Sequence, residues 1–142
     1  MLRTLHPMIV HFPIALFFTA ALFEALYLVY RKDWLRNAGL ILLTLAILSG
    51  VAAGIAGVIS EHYLPRLPLS DLKLINTHKN FAELSVFVYG LAWLLRVLTG
   101  KRGPRGALAA LYILLIVLGL GLISYTGFLG GGLVYVHGIG VP

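Results

Sequence analysis

The stretch HPMIVHFPIALFFTAALFEALYLVY, residues 6–30, decides the fold. A helix rises 1.5 Å per residue, so roughly 20 apolar residues cross the hydrocarbon core of a bilayer. The run from Pro7 to Tyr30 supplies that length. It exceeds the apolar core of a secretory signal, about 7–15 residues. It also ends in Tyr30-Arg31-Lys32 rather than in a small-residue cleavage site. It therefore reads as a retained membrane helix, with Pro7 in the first turn, where a missing N–H costs nothing.

The rest of the chain repeats the pattern. Further apolar runs cover 38–59, 78–98 and 107–129, separated by polar loops. Of the 142 residues, 60% are hydrophobic and 11% charged, against about 25% charged in soluble domains. The expectation is one all-α domain over residues 1–142, an integral membrane four-helix bundle. Ser70 is placed to cap a helix that starts at Asp71 and runs into the third span. The glycine-rich tail after Leu129 is read as a turn and a short return segment carrying Tyr135 and His137 back over the helix ends.

The formal charge of +6 does not point to nucleic acid, because the cations sit in short loops without a basic stripe. Loop basicity in a membrane protein is a topology signal. Arg31, Lys32, Arg36, Arg96, Lys101, Arg102 and Arg105 lie at one end, and Arg3, Arg66, Lys73 and Lys79 at the other. Seven against four predicts an N-out/C-out arrangement, with the short loops in the cytoplasm. The absence of cysteine excludes disulfides, thiolate metal sites and covalent haem attachment through Cys-x-x-Cys-His.

Four spans bring all five histidines to one end. His6 and His11 open the first span, His62 follows the second, His78 opens the third and His137 follows the fourth. Ionisable groups at membrane depth suggest function, and neutral imidazole suits zinc, copper, iron and haem iron. The leading expectation is a b-type cytochrome, an electron carrier rather than an enzyme. Its axial ligands would be His11 and His78. His6 and His137 would bind a second haem, hydrogen-bond the first or complete the site, and Glu83, Tyr135 and Arg3 would orient or support it. One alternative is a non-haem transition-metal ion held by His6, His11, His78 and His137. Another is a membrane scaffold without a cofactor, its histidines interfacial. The expected partners are the lipid bilayer, a redox protein at the outer face and, through small-residue faces such as Gly50 and Gly54, a second copy of the chain.

The chain resembles a bacterial family of small membrane proteins catalogued as domain of unknown function 2231. The resemblance rests on Leu5-His6-Pro7-Met8-Ile9-Val10-His11-Phe12-Pro13-Ile14-Ala15-Leu16, on His78, and on Gly131-Gly132-Leu133-Val134-Tyr135-Val136-His137-Gly138-Ile139-Gly140-Val141. It spans essentially the whole chain and implies that the membrane is a bacterial cytoplasmic one. Members joined to Rieske or cytochrome c modules imply redox work at the membrane, with His6, His11, His78 and His137 as its functional positions. The family name carries no activity of its own.

Overall fold

A computed structural model describes residues 4–140. The chain forms α1 (Leu5–Ile9), α2 (His11–Tyr30), α3 (Asp33–His62), α4 (Leu69–Leu98), a 3-10 turn (Gly100–Arg102) and α5 (Ala107–Tyr135). α1 and α2 together make one apolar helical segment, and with α3, α4 and α5 they give four helices long and apolar enough to cross a membrane. The expected all-α bundle is therefore present.

Local chemistry sets the helix ends. Pro13 has no N–H, and its ring crowds the carbonyl four residues back, that of Ile9. α1 stops at Ile9 for this reason, and α2 restarts at His11. Arg31 closes α2 in the left-handed conformation at φ 52°. α4 begins at Leu69 behind Pro68, before the expected Asp71, and no side chain caps it. Ser70 instead donates to Asp71 Oδ1 at 3.3 Å. α5 continues through Gly130, Gly131 and Gly132 to Tyr135. The return segment starts only at Val136. Amides of His137 and Ile139 bond back to the carbonyls of Gly132 and Leu133 at 3.2 and 2.8 Å.

The helices pair as two hairpins, α2 on α3 and α4 on α5. Within the core the spacing of buried positions repeats. Those of α3 at 39, 43, 46, 50, 53, 56 and 60 recur in α5 at 112, 116, 119, 123, 126, 129 and 133, a constant offset of 73. In α2 and α4 the positions 13, 17, 20 and 24 recur at 85, 89, 92 and 96, an offset of 72. The two halves are thus structural repeats.

Counterparts also meet each other. Phe17 stacks on Tyr89 with ring centroids 4.1 Å apart, Glu24 lies 3.9 Å from Arg96, and the rings of His6 and His78 are in contact. Residues touch their own equivalents only next to a two-fold axis. The hairpins are therefore related by an approximate two-fold axis running along the bundle, a parallel repeat of the kind known in membrane proteins. Small side chains on the buried face of α3 (Ala46, Gly50, Ala53, Ala56) permit this close approach, since helix association in lipid depends on van der Waals contact.

Candidate functional site

Each hairpin anchors one imidazole to its own second helix. His6 Nδ1 lies 2.8 Å from the Ala53 carbonyl oxygen on α3. His78 Nδ1 lies 3.1 Å from the Thr126 carbonyl oxygen on α5. A carbonyl oxygen only accepts, so each Nδ1 carries a proton, and in the neutral ring Nε2 keeps a lone pair. The ring floors match as well. A Cβ on Gly57 would stand 3.2 Å from His6 Nδ1, and one on Gly130 would stand 3.1 Å from His78 Cε1. In both halves the accepting carbonyl lies four residues before the glycine, one helical turn away. Ala53-x-x-x-Gly57 and Thr126-x-x-x-Gly130 are the same cradle, built twice.

The two imidazoles meet across the axis, centroids 5.9 Å apart and planes at 81°. Both residues are half-buried. Ser60 Oγ accepts from the backbone N–H of His6 at 3.1 Å. That N–H belongs to the first turn of α1 and has no acceptor within the helix. The break at Val10 is part of the same design. It ends a short α1 that packs on α3 and presents His6 to the Ala53 carbonyl.

The remaining sequence candidates fall elsewhere. His11, expected opposite His78, is exposed, and His6 holds that place instead. One residue after the Val10 break, His11 follows the direction of α2 rather than that of α1. His137 Nδ1 donates to Asp71 Oδ1 at 3.0 Å, which ties the return segment to the start of α4. Glu83 is exposed and is the counterpart of His11 at the offset of 72. Tyr135 is 88% exposed. Arg3 lies outside the described residues. Above the imidazoles, Lys79 Nζ donates to Glu61 Oε2 at 2.7 Å, a further link between the hairpins.

Sequence reading missed Ser60, Gly57, Gly130 and the two accepting carbonyls. The available signal was the offset: His6/His78 at 72, and Gly54/Gly127 and Gly57/Gly130 at 73. Sequence reading counted Arg96, at the end of the third span, with the loop cations, while naming Arg31 and Arg96 as the candidate partners of Glu24. The structure buries Arg96 at 3% exposure with Glu24 at 4%, a charge pair at the opposite end of the axis. Gly39 leaves room for that pair, since a Cβ there would stand 2.5 Å from Glu24 Oε1.

No curated protein and no solved structure matches the chain. One family model does, over residues 2–142, and its description is Predicted membrane protein (DUF2231). With that match across nearly its whole length, and with four membrane-length helices, the chain belongs to the DUF2231 family of membrane proteins.

Proposed function

We propose that the protein is a membrane electron carrier that holds haem b, non-covalently, between His6 and His78. The observation that carries this reading is the paired imidazoles with both Nδ1 hydrogens committed to backbone carbonyls. Histidines that bind metals are oriented in this way, the other ring nitrogen donating to a carbonyl or carboxylate. A metal–nitrogen bond is about 2 Å, so imidazoles on opposite sides of one ion have centroids on the order of 6 Å apart. The centroids of His6 and His78 are 5.9 Å apart, a separation at which both rings would reach one ion only with their Nε2 atoms turned toward it.

The size of the donor set favours haem over a small ion. Among the described residues no third His, Asp or Glu joins the pair. Zinc takes about four ligands, and a protein site supplies at least three of them. Haem iron needs only two axial ligands from the protein, since the porphyrin provides the other four. Such a ligand has two equivalent faces, which suits a site whose two sides are repeats of one another. When bound, the haem supplies a one-electron couple. The residues orient the rings through Ala53 and Thr126 and restrict water by partial burial. With Arg96 left out, six cations against four favour the reading in which the histidine end faces outward. A redox partner protein would dock there.

The test is the reduced-minus-oxidised spectrum of detergent-purified protein, with haem and metals assayed. The expected result is one haem per chain, lost in His6→Ala and in His78→Ala and kept in His11→Ala. Haem retained in both of the first two variants overturns the assignment, as does stoichiometric zinc or copper without haem.

A further inference from the structure

The far end of the axis carries a second site. A groove of about 330 Å³ runs between α2 and α5, walled by Phe18, Ala21, Leu22, Ala25, Val117 and Leu120. Glu24 and Tyr112 also line it, and both belong to a second cavity of about 280 Å³ beside it. That cavity is walled by Tyr27, Arg31, Arg96, Pro104 and Arg105. An apolar channel thus leads along the bundle flank into an arginine-rich chamber.

The repeat shows what the groove lacks. The counterpart of Ala21 is Trp93, at the offset of 72, and that of Val117 is Thr44, at 73. On the α3–α4 flank Trp93 packs against the core, and its Nε1 donates to Thr44 Oγ1 at 2.9 Å. On the α2–α5 flank a methyl group stands where the indole would be. The groove is the space that a tryptophan fills in the sister half.

Two buried polar groups border this space. The Tyr112 hydroxyl and the Glu24 carboxyl face and interact with each other, and Glu24 Oε1 lies 3.9 Å from Arg96 Nε. Tyr112 and Glu24 are 5% and 4% exposed. Charge indicates the occupant. Arg96 is engaged by Glu24 at 3.9 Å and by the Gly100 carbonyl at 3.2 Å. Arg31 lies over the ring of Tyr27, and neither Arg31 nor Arg105 meets a carboxylate among the described residues. The chamber is therefore net positive beside an apolar groove. Arg31 directly follows the last residue of α2, the level at which lipid headgroups lie.

We infer that this site holds one phospholipid, its phosphate between Arg31 and Arg105 and one acyl chain in the groove. Guanidinium groups match phosphate geometry. The site does not depend on haem.

Native mass spectrometry of the full chain in mild detergent, with phosphatidylglycerol added, tests it. One lipid per chain should survive activation that strips the others. Its affinity should fall about tenfold, equivalent to about 1.4 kcal/mol, in Arg31→Gln/Arg105→Gln and in Ala21→Trp. Ala25→Phe, on the exposed groove wall, serves the same purpose should Ala21→Trp fail to fold. Lipid retained equally by wild type and variants overturns the inference. So does displacement by inorganic phosphate alone, which marks a free-anion site, or a co-purifying quinone in place of the phospholipid.

Discussion

Replacing Gly130 by alanine separates the imidazole cradle from ordinary helix packing. The added Cβ would stand 3.1 Å from His78 Cε1 and 3.5 Å from Nδ1. Carbon atoms rest at about 3.5–4.0 Å, so the ring must retreat by roughly 0.5 Å. The bond from His78 to Thr126 is already 3.1 Å, near the long end of the N–H···O range, and that retreat breaks it. Overpacking costs about 1–3 kcal/mol and the lost bond about 1 kcal/mol. Against them stands a gain of about 1 kcal/mol from replacing a helical glycine. The net expectation is a loss of about 1–3 kcal/mol. Gly131, one residue on, has nothing within 4 Å of its Cβ position, so Gly131→Ala should stabilise by about 1 kcal/mol. Unfolding in detergent, followed by far-UV circular dichroism, reads the difference without reference to any cofactor. The reasoning is refuted if Gly130→Ala unfolds at or beyond the midpoint of Gly131→Ala. Gly57→Ala should do less harm, because the bond from His6 to Ala53 starts at 2.8 Å and has room to lengthen.

Gly119→Ala should destabilise by about 1–3 kcal/mol in the same assay, since its Cβ would stand 2.8 Å from the Tyr89 ring and that ring is stacked on Phe17. Arg96→Gln should cost about 3–5 kcal/mol by stranding the Glu24 carboxylate, and Glu24→Gln/Arg96→Gln should recover most of the loss; a double variant no better than Arg96→Gln would remove the pair as the explanation. Pro13→Ala gives the Ile9 carbonyl its missing N–H and should draw α1 into line with α2. Unfolding resistance should then rise while haem content falls, and unchanged haem content would show that the break does not position His6. Thr44→Val should cost about 1 kcal/mol through the lost Trp93 bond, checked by denaturant midpoint.

Much of the architecture was legible because it depends on composition and length. Four apolar runs leave no other solution in lipid, where every backbone group must be satisfied within its own segment. The histidines gathered at one end for the same reason, as helix count alone places them there. Which histidines meet was not legible. His6 and His11 are both compatible with a helix start, and the choice rests on the break between α1 and α2 at Val10 ahead of Pro13, which leaves His6 against α3 and His11 exposed. The repeat was hidden because few identities survive at its offsets. Phe17 faces Tyr89, Ala21 answers to Trp93 and Gly39 to Tyr112. What persists is the order of buried positions, and hydropathy does not show it when every face of a helix is apolar. The partner of Glu24 was legible as one of two, Arg31 or Arg96, and the structure pairs it with Arg96, whose burial follows from that acidic counterpart two helices away.

The two ends of the axis differ in a way that explains why the halves are joined in one chain. At the histidine end like meets like: an imidazole, a carbonyl and a glycine from each half. Two separate copies of one hairpin would build that end equally well. At the loop end they would not. A residue beside a two-fold axis faces its own copy, so a glutamate there would meet a glutamate and an arginine an arginine. Like charges in a medium of low dielectric repel strongly. Halves of different sequence, as in this fused repeat, let the counterparts diverge, so that Glu24 meets Arg96 at 3.9 Å and Gly39 makes room for Glu24 while its own counterpart is Tyr112. The same divergence fills one flank with Trp93 and leaves the other open beside Ala21. The symmetric end thus suits a ligand with two equivalent faces, and the asymmetric end suits one with a distinct head and tail.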